Sequence, residues 1–206
     1  MKLTNYIAAG AVWLACATTG MAQTPIAEMP AGGYHMDLSH TSLNWSVNHS
    51  GLSNYTARFT SMSGELHLDP ANPAASTISI TIDPMSTETD LPFKYKDWND
   101  ELRTAKHLFN SVAFPQITYT STGIDMTGEY TGIVHGDLVF LGVTRNVDLN
   151  VTFNGAQISN FFTKKPTIGF SATGSIERSD FGMNAMIPAI GDTITLRIEA
   201  EFEQEK

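Results

Sequence analysis

The stretch from Val134 to Phe153, VHGDLVFLGVTRNVDLNVTF, constrains the fold more than any other part of this 206-residue chain. In its second half Val147, Leu149, Val151 and Phe153 alternate with Asn146, Asp148, Asn150 and Thr152. A period of two gives a strand one apolar face and one wet face. Leu141-Gly142 separates two such runs, and a glycine there supplies the backbone freedom of a hairpin turn. Antiparallel sheet follows directly. No chemistry does, because an apolar strand face can belong to a filled core or to the wall of a container.

The same alternation recurs along the chain. Tyr34, Met36 and Leu38 form one run, and Leu43, Trp45, Val47 and His49 form the next. Phe59 to Leu68 reads as one long strand with Thr60, Met62, Gly64, Leu66 and Leu68 on a shared face. Ile78, Ile80 and Ile82, then Ile117 and Tyr119, then Ile168, Phe170, Ala172, Gly174 and Ile176 continue the pattern. In the last run Ile194, Leu196, Ile198, Ala200 and Phe202 oppose Thr195, Arg197, Glu199, Glu201 and Glu203. Only one segment changes period: Leu91, Tyr95, Trp98 and Leu102 fall at helical spacing, which predicts a short helix within residues 91–108.

About eight strands at regular spacing indicate a sandwich or a barrel. The long last strand, apolar on one side, would be an aggregation hazard as an open edge, which favours closure. The expectation is therefore an all-β protein, an antiparallel eight-stranded barrel with a short helical insertion. A barrel of that size is filled by side chains or holds one small ligand. It occupies residues 34–206 as a single domain, after a Pro/Gly/Ala-rich lead-in at residues 23–33 that reads as flexible.

Residues 1–22 read as a cleaved signal peptide. Lys2 is a short positive region, Ile7 to Cys16 is apolar, and Gly20-Met21-Ala22 places small residues before the cut. A periplasmic location is expected. Cys16 is the one cysteine of the chain, and lipidation at Cys16 is the rival reading of the leader. Cleavage after Ala22 would leave a thiol-free protein, without Cys catalysis or thiolate metal sites. The formal net charge of −9 argues against nucleic acid and anionic membrane surfaces as main partners.

Candidate chemistry is sparse. His135-Gly136-Asp137 puts two ligand types on one strand face, but Ile133 and Val139 share that face and no further metal-ligating cluster adjoins it. No G-x-S-x-G elbow, phosphate-cradling loop or dinucleotide turn occurs. Catalytic residues, metals and cofactors are therefore not expected. Trp45, Phe59, Trp98, Phe109, Phe114, Phe153, Phe170, Phe181 and Met183 exceed what turns require. With Val47 and Leu102 they could line a long apolar cavity, and His49, ending the face of Trp45 and Val47, suits its rim.

The order of segments resembles the YceI-like family of periplasmic polyisoprenoid- or lipid-binding proteins, from about Tyr34 to Phe202. The resemblance rests on YHMDLSHTSLNWSVNHSGLSNYTARF, on KHLFNSVAFPQITYTST and on GDLVFLGVTRNVDLNVTF. Two departures are Ala57, where the family often has glycine, and DELRTAKHLF, where it often carries an Arg-Asp-x-His-Leu element. The resemblance implies a lipocalin-like barrel with a helix near one end and an elongated apolar interior. It implies binding of isoprenoid chains, quinone-like molecules or fatty amphiphiles, and members are not known chiefly as enzymes. By the same resemblance His49, Asn54, Tyr55 and Phe59, together with Phe109, Phe114 and Tyr119, surround the pocket.

The leading expectation is a periplasmic carrier holding a long-chain isoprenoid or other lipid-like molecule. An enzyme acting on an amphiphile and a ligand-free barrel used for protein interaction are the alternatives, and a homodimer stays open.

Overall fold

The computed structural model describes residues 24–92 and 97–205. The signal peptide read at residues 1–22, with Cys16, and the helical position Tyr95 lie outside the described residues.

Among the described residues, ten strand segments build one sheet that closes into an eight-position antiparallel barrel. β1 (Gly32–His49) is the longest and the most connected. One of its edges pairs with β10 (Ile190–Gln204), which closes the barrel. Its other edge pairs with β3 (Met62–Leu68) near its start and with β2 (Ser53–Phe59) near its end. β4 (Thr77–Ile82) and the short β5 (Thr87–Glu88) follow, paired with β3 and β2 respectively. β2 and β3 together therefore occupy one strand position and β4 and β5 the next, each bent at a corner. β6 (Ile117–Met126), β7 (Thr131–Phe140), β8 (Val143–Gln157) and β9 (Thr167–Glu177) complete the circuit as a meander.

Two features of β1 and β2–β3 depart from simple alternation. Between Asp37 opposite Glu201 and Ser42 opposite Glu199, β1 carries extra residues, a bulge that changes which parity faces inward. Tyr34 and Met36 point inside before it, and Leu43, Trp45 and Val47 point inside after it. Leu38, expected to continue the first run, is 55% exposed within the bulge. The long strand expected from Phe59 to Leu68 is likewise broken at Thr60-Ser61. Phe59 and Met62 are both buried across that break, while Thr60 is exposed. The corner is held by Thr60 N–H donating to the Ser86 carbonyl at 3.2 Å and Asp83 N–H donating to the Ser61 carbonyl at 3.0 Å.

The hairpin at Leu141-Gly142 has φ of 50° and 75° at its two turn residues, the positive pair that a two-residue turn of matching twist requires. A side chain at residue 142 would also collide with the Phe114 ring, whose Cε1 lies 2.7 Å from where a Cβ would stand. Gly136 answers a second close approach. A Cβ there would sit 2.3 Å from Tyr119 Cζ, so the tyrosine ring lies directly over the β7 backbone. The Tyr119 hydroxyl reaches across it to the carbonyls of Val134 at 2.9 Å and Val147 at 3.1 Å.

The helix of the insertion is α1 (Trp98–Thr104), shorter than the 91–108 segment expected to contain it. Seven residues are too few to be stable alone, so tertiary anchors must hold them. Asp97 caps the first turn by accepting from Asp100 N–H at 3.0 Å. Arg103 donates to the Thr87 carbonyl at 2.6 and 3.0 Å, and Asn99 donates to Glu88 at 2.6 Å, tying the helix to β5. No helix among the described residues is long and apolar enough to cross a membrane.

The interior divides in two. Met29, Tyr34, Leu66, Leu68, Phe153, Ala156, Ile168 and Phe202 form a compact cluster at the end where the chain enters and leaves the barrel. The lead-in belongs to that plug: Ile26–Glu28 make a 3-10 turn, Met29 is buried, and the Tyr34 hydroxyl donates to the Pro30 carbonyl at 2.7 Å. The larger cluster includes Trp45, Phe59, Leu102, Phe109, Tyr119 and Phe140 and extends towards α1.

On the outer wall His135 does not pair with Asp137. Its Nδ1 lies 2.7 Å from Asp148 and its Nε2 3.2 Å from Asp125, cross-strand partners on β8 and β6. Hydrogen bonds to Asp148 and then Asp125 raise the imidazole pKa above its ordinary value. A raised folded pKa means stability that is fully present below the unfolded pKa, roughly 6.5, and lost as pH rises through the folded one. Urea unfolding of wild type and His135→Gln should differ most near about pH 5.5 and converge by about pH 9. A gap that stays constant across that range would contradict the pairing. Gly136→Ala should destabilise the barrel by about 1–3 kcal/mol through overpacking against Tyr119. An unchanged urea midpoint would mean that the ring does not occupy that space.

Candidate functional site

Inward-facing side chains from every strand position leave a cavity of about 480 Å³ inside the barrel. That lies within the ordinary range for a small-molecule site, roughly 300–1,000 Å³. β1 and β2 contribute Trp45, Val47, Tyr55 and Phe59, α1 contributes Trp98 and Leu102, and Phe109 follows from the segment after the helix. The far wall carries Tyr119, Phe153, Phe170 and Met183. The face read from the hairpin, Val147, Leu149, Val151 and Phe153, lines it throughout.

Phe109 is the hub of the helix-side wall. Its ring meets Trp45 edge-on at 6.0 Å and Phe59 at 5.6 Å, and lies 5.8 Å from Phe140. Such tilted and edge-on arrangements match the aromatic quadrupole better than face-to-face stacking. The lining reaches exposed side chains at both ends. At one end stand His49 and Met186, where the β1–β2 turn is tied to the β9–β10 connection by Ser50 N–H donating to the Ala189 carbonyl at 2.7 Å. At the other stand Met126 and Tyr130, with Tyr130 stacked on Phe153 at 5.9 Å.

Three residues expected at the cavity do not line it. Asn54 is exposed, facing outward opposite Asn48 at the end of the β1–β2 hairpin, because its parity is the reverse of Tyr55. Phe114 packs over Gly142 at the β7–β8 turn. Phe181 is buried behind the wall, 5.5 Å from Phe140, where it supports the lining without forming it. The other expected residues, Trp45, Val47, His49, Tyr55, Phe59, Trp98, Leu102, Phe109, Tyr119, Phe153, Phe170 and Met183, are brought together around one space.

Arg178 was not anticipated. It follows β9 in a 3-10 turn, 3% exposed, and lines the cavity. Its guanidinium donates to the carbonyls of Met183 at 2.7 Å, Gly191 at 2.8 Å, Ala185 at 2.8 Å and Ile190 at 3.0 Å. A buried cation needs such satisfaction. Burial pulls its pKa down while Asp192 opposes the shift, and Asp192 is itself held below the usual carboxylate range, chiefly by the Ser179 side chain. Arg178 thus pins the β9–β10 connection over the cavity's end. A lone arginine between a strand and a loop gives no sequence signal for this role.

Among the described residues, titratable groups are few in the lining. Of the six histidines only His49 takes part, and Glu129, the one lining carboxylate, belongs to the β6–β7 turn at the opposite end. Burial, followed by the charges of Asp148 and Asp137, raises the Tyr119 phenol far above its ordinary value, so the hydroxyl stays neutral and acts as a donor. On the outer wall, Asp37, His40 and Glu201 gather at the β1 bulge, with His40 Nδ1 2.7 Å from Asp37 and 4.0 Å from Glu201. That group is separate from the cavity. The lining as a whole can hold an apolar body and offers few polar fixings.

Comparison with known proteins agrees with this geometry. Residues 34–202 match the YceI-like domain. The chain is 30% identical over 178 residues to Protein YceI of Escherichia coli O157:H7, covering 85% of this chain and 89% of that protein. Its fold is similar to that of BcnA from Burkholderia cenocepacia, with a TM-score of 0.70 at 22% identity over 81% of this chain and 98% of the other. It is also similar to a polyisoprenoid binding domain from Saccharophagus degradans, with a TM-score of 0.63 at 17% identity over 85% of this chain and 100% of that one. With closed barrel, helix and apolar interior in place, the chain belongs to the YceI-like family.

Proposed function

We propose that this protein is a periplasmic carrier that holds a long apolar ligand, of polyisoprenoid or similar lipid-like chemistry, inside the barrel. The observation that carries this reading is the cavity of about 480 Å³, walled by apolar side chains within a closed barrel. A relative in fold described as a polyisoprenoid binding domain supports the ligand class. The leader-like residues 1–22 support export.

Burying each methylene of such a chain gains about 0.8 kcal/mol. A long ligand would therefore gain more than any non-covalent complex realises, about 18–21 kcal/mol, were ordering of chain and lining not set against it. Apolar area consequently explains retention and leaves affinity to be decided by the few polar fixings. Binding is favoured over turnover because, among the described residues, His49 has no carboxylate beside it in the lining, Glu129 standing at the other end. General acid–base work requires partners within hydrogen-bond reach of one reacting group.

Trp45→Arg puts a charge on the inward face, and Ala172→Phe fills cavity space from β9. Both should abolish or strongly reduce co-purifying ligand, measured as lipid per mole of folded protein by mass spectrometry. Thr195→Arg, on the exposed face of β10, should leave it unchanged. Equal retention in all three would sink the assignment of the cavity.

A further inference from the structure

Exposed apolar side chains are unevenly spread over this barrel. Phe161 and Phe162 are 74% and 83% exposed, whereas every other described phenylalanine is buried or half-buried. They stand at the tip of the β8–β9 connection, between Gln157 and Thr167. Ile158 at its base is exposed as well. Single apolar residues scattered over a surface need no explanation, but adjacent aromatic rings on a projecting turn do.

The turn is built to display them. Asn160 N–H donates to the Lys165 carbonyl at 2.8 Å, and the Asn160 carbonyl accepts from Lys164 N–H at 3.0 Å. Its side-chain oxygen accepts from Phe162 N–H at 2.9 Å and from Thr163 N–H at 3.3 Å. Lys164 closes the turn with a φ of 60°, in the left-handed region that side chains other than glycine seldom adopt. The two rings meet edge to face at 5.1 Å and take no cover from the core. The Lys164 ammonium lies 4.9 Å over the Phe161 ring and donates to the Phe161 carbonyl at 2.6 Å. A cation is thereby held beside the rings. Lys165 is paired with Glu203 on β10 at 3.4 Å.

The place of the tip gives it a use. β7 begins at Thr131, opposite Thr152, and β8 runs on past it to Gln157. The β8–β9 turn therefore stands beyond the β6–β7 turn at the same end of the barrel. That rim carries Met126 and Tyr130, the exposed members of the cavity lining there.

A projecting aromatic ring offers roughly 150–250 Å² for burial. Two rings fall well short of the about 800 Å² per partner of a stable protein interface. A convex tip suits a surface that deforms around it. Aromatic rings flanked by lysine match a membrane boundary, with the rings among acyl chains and the ammonium at the phosphates. We propose that the β8–β9 turn docks the protein on a phospholipid bilayer, with Phe161 and Phe162 inserted below the headgroups and Lys164 against their phosphates. The net charge of −9, with Glu129 at the same end, opposes approach to a strongly anionic membrane. Insertion of the rings therefore supplies the binding, and zwitterionic phospholipid is the preferred surface. The docking stands on the turn alone, whereas exchange of ligand between the docked rim and the bilayer rests on the carrier reading above.

The test is flotation of the protein, purified from its own cell envelope, with phosphatidylcholine vesicles. Wild type should float with the vesicles. Phe161→Ser/Phe162→Ser should bind at least about tenfold more weakly, because two rings lose their apolar burial. Both side chains are exposed, so the melting temperature should not fall. Leu52→Ser, 85% exposed on the β1–β2 turn at the opposite end, should bind as wild type does. Phe162→Trp should keep its binding and gain indole fluorescence that brominated acyl chains quench.

Wild type that stays free of vesicles, or a double variant that floats as well as wild type, would overturn the proposal. So would a dimer that the double substitution dissociates in sedimentation, since the rings would then belong to contact with a second copy of the chain. Protein that co-purifies with lipid but does not float loses the docking and keeps the carrier reading. Protein that floats through the tip but yields no lipid keeps the docking and loses the carrier reading.

Discussion

Everything inside this molecule depends on the pairing of β1 with β10. That ladder converts a strongly curved sheet with two apolar-faced edges into a closed wall, which removes the edges and encloses a space. β1 can do this because its eighteen residues serve three partners, β10 along one edge and β3 then β2 along the other. A slip of one residue would turn Trp45 and Val47 outward. The bulge between Asp37 and Ser42 is therefore more than an irregularity: it resets the parity so that both halves of the strand face the interior.

Closure alone would give a filled barrel or a hollow one. The difference lies in where the large side chains sit. Tyr34, Leu68, Ile168 and Phe202, nearly inaccessible to solvent, pack one end solidly. Towards the other end the bulky groups stand against the wall. Tyr119 lies flat over Gly136 and is held by the backbone of β7 and β8, and Phe109 is braced by Trp45, Phe59 and Phe140. α1, fastened to β5 through Arg103 and Asn99, and the loop pinned by Arg178 cover that end. The cavity is what remains between a plug and a braced aromatic wall.

The regular part of this was legible from the sequence. Strand parity over residues 147–153 of β8 and 194–202 of β10 identified inward faces correctly because nothing interrupts the alternation within those runs. Just beyond, at the bulge between Phe153 and Gly155, β8 changes phase and brings Ala156 inward. Parity failed where the backbone changes phase, at Leu38 in the β1 bulge and at Thr60-Ser61, since alternation cannot register an inserted residue. The cavity residues were mostly recognised as aromatics on apolar faces. Phe114, Phe181 and Asn54 were misplaced because being aromatic, or standing next to a pocket residue, does not fix direction. Arg178 had no sequence signal at all: its role depends on which distant groups the closed barrel brings near.

The most direct test is mass spectrometry of an organic extract from the full-length protein, expressed and purified from its own cell envelope. A cavity of about 480 Å³ walled by apolar side chains predicts a lipid-like molecule recovered in near-stoichiometric amount. Folded protein that yields no such molecule, with unfolding unaffected by added isoprenoid lipid, would contradict the account.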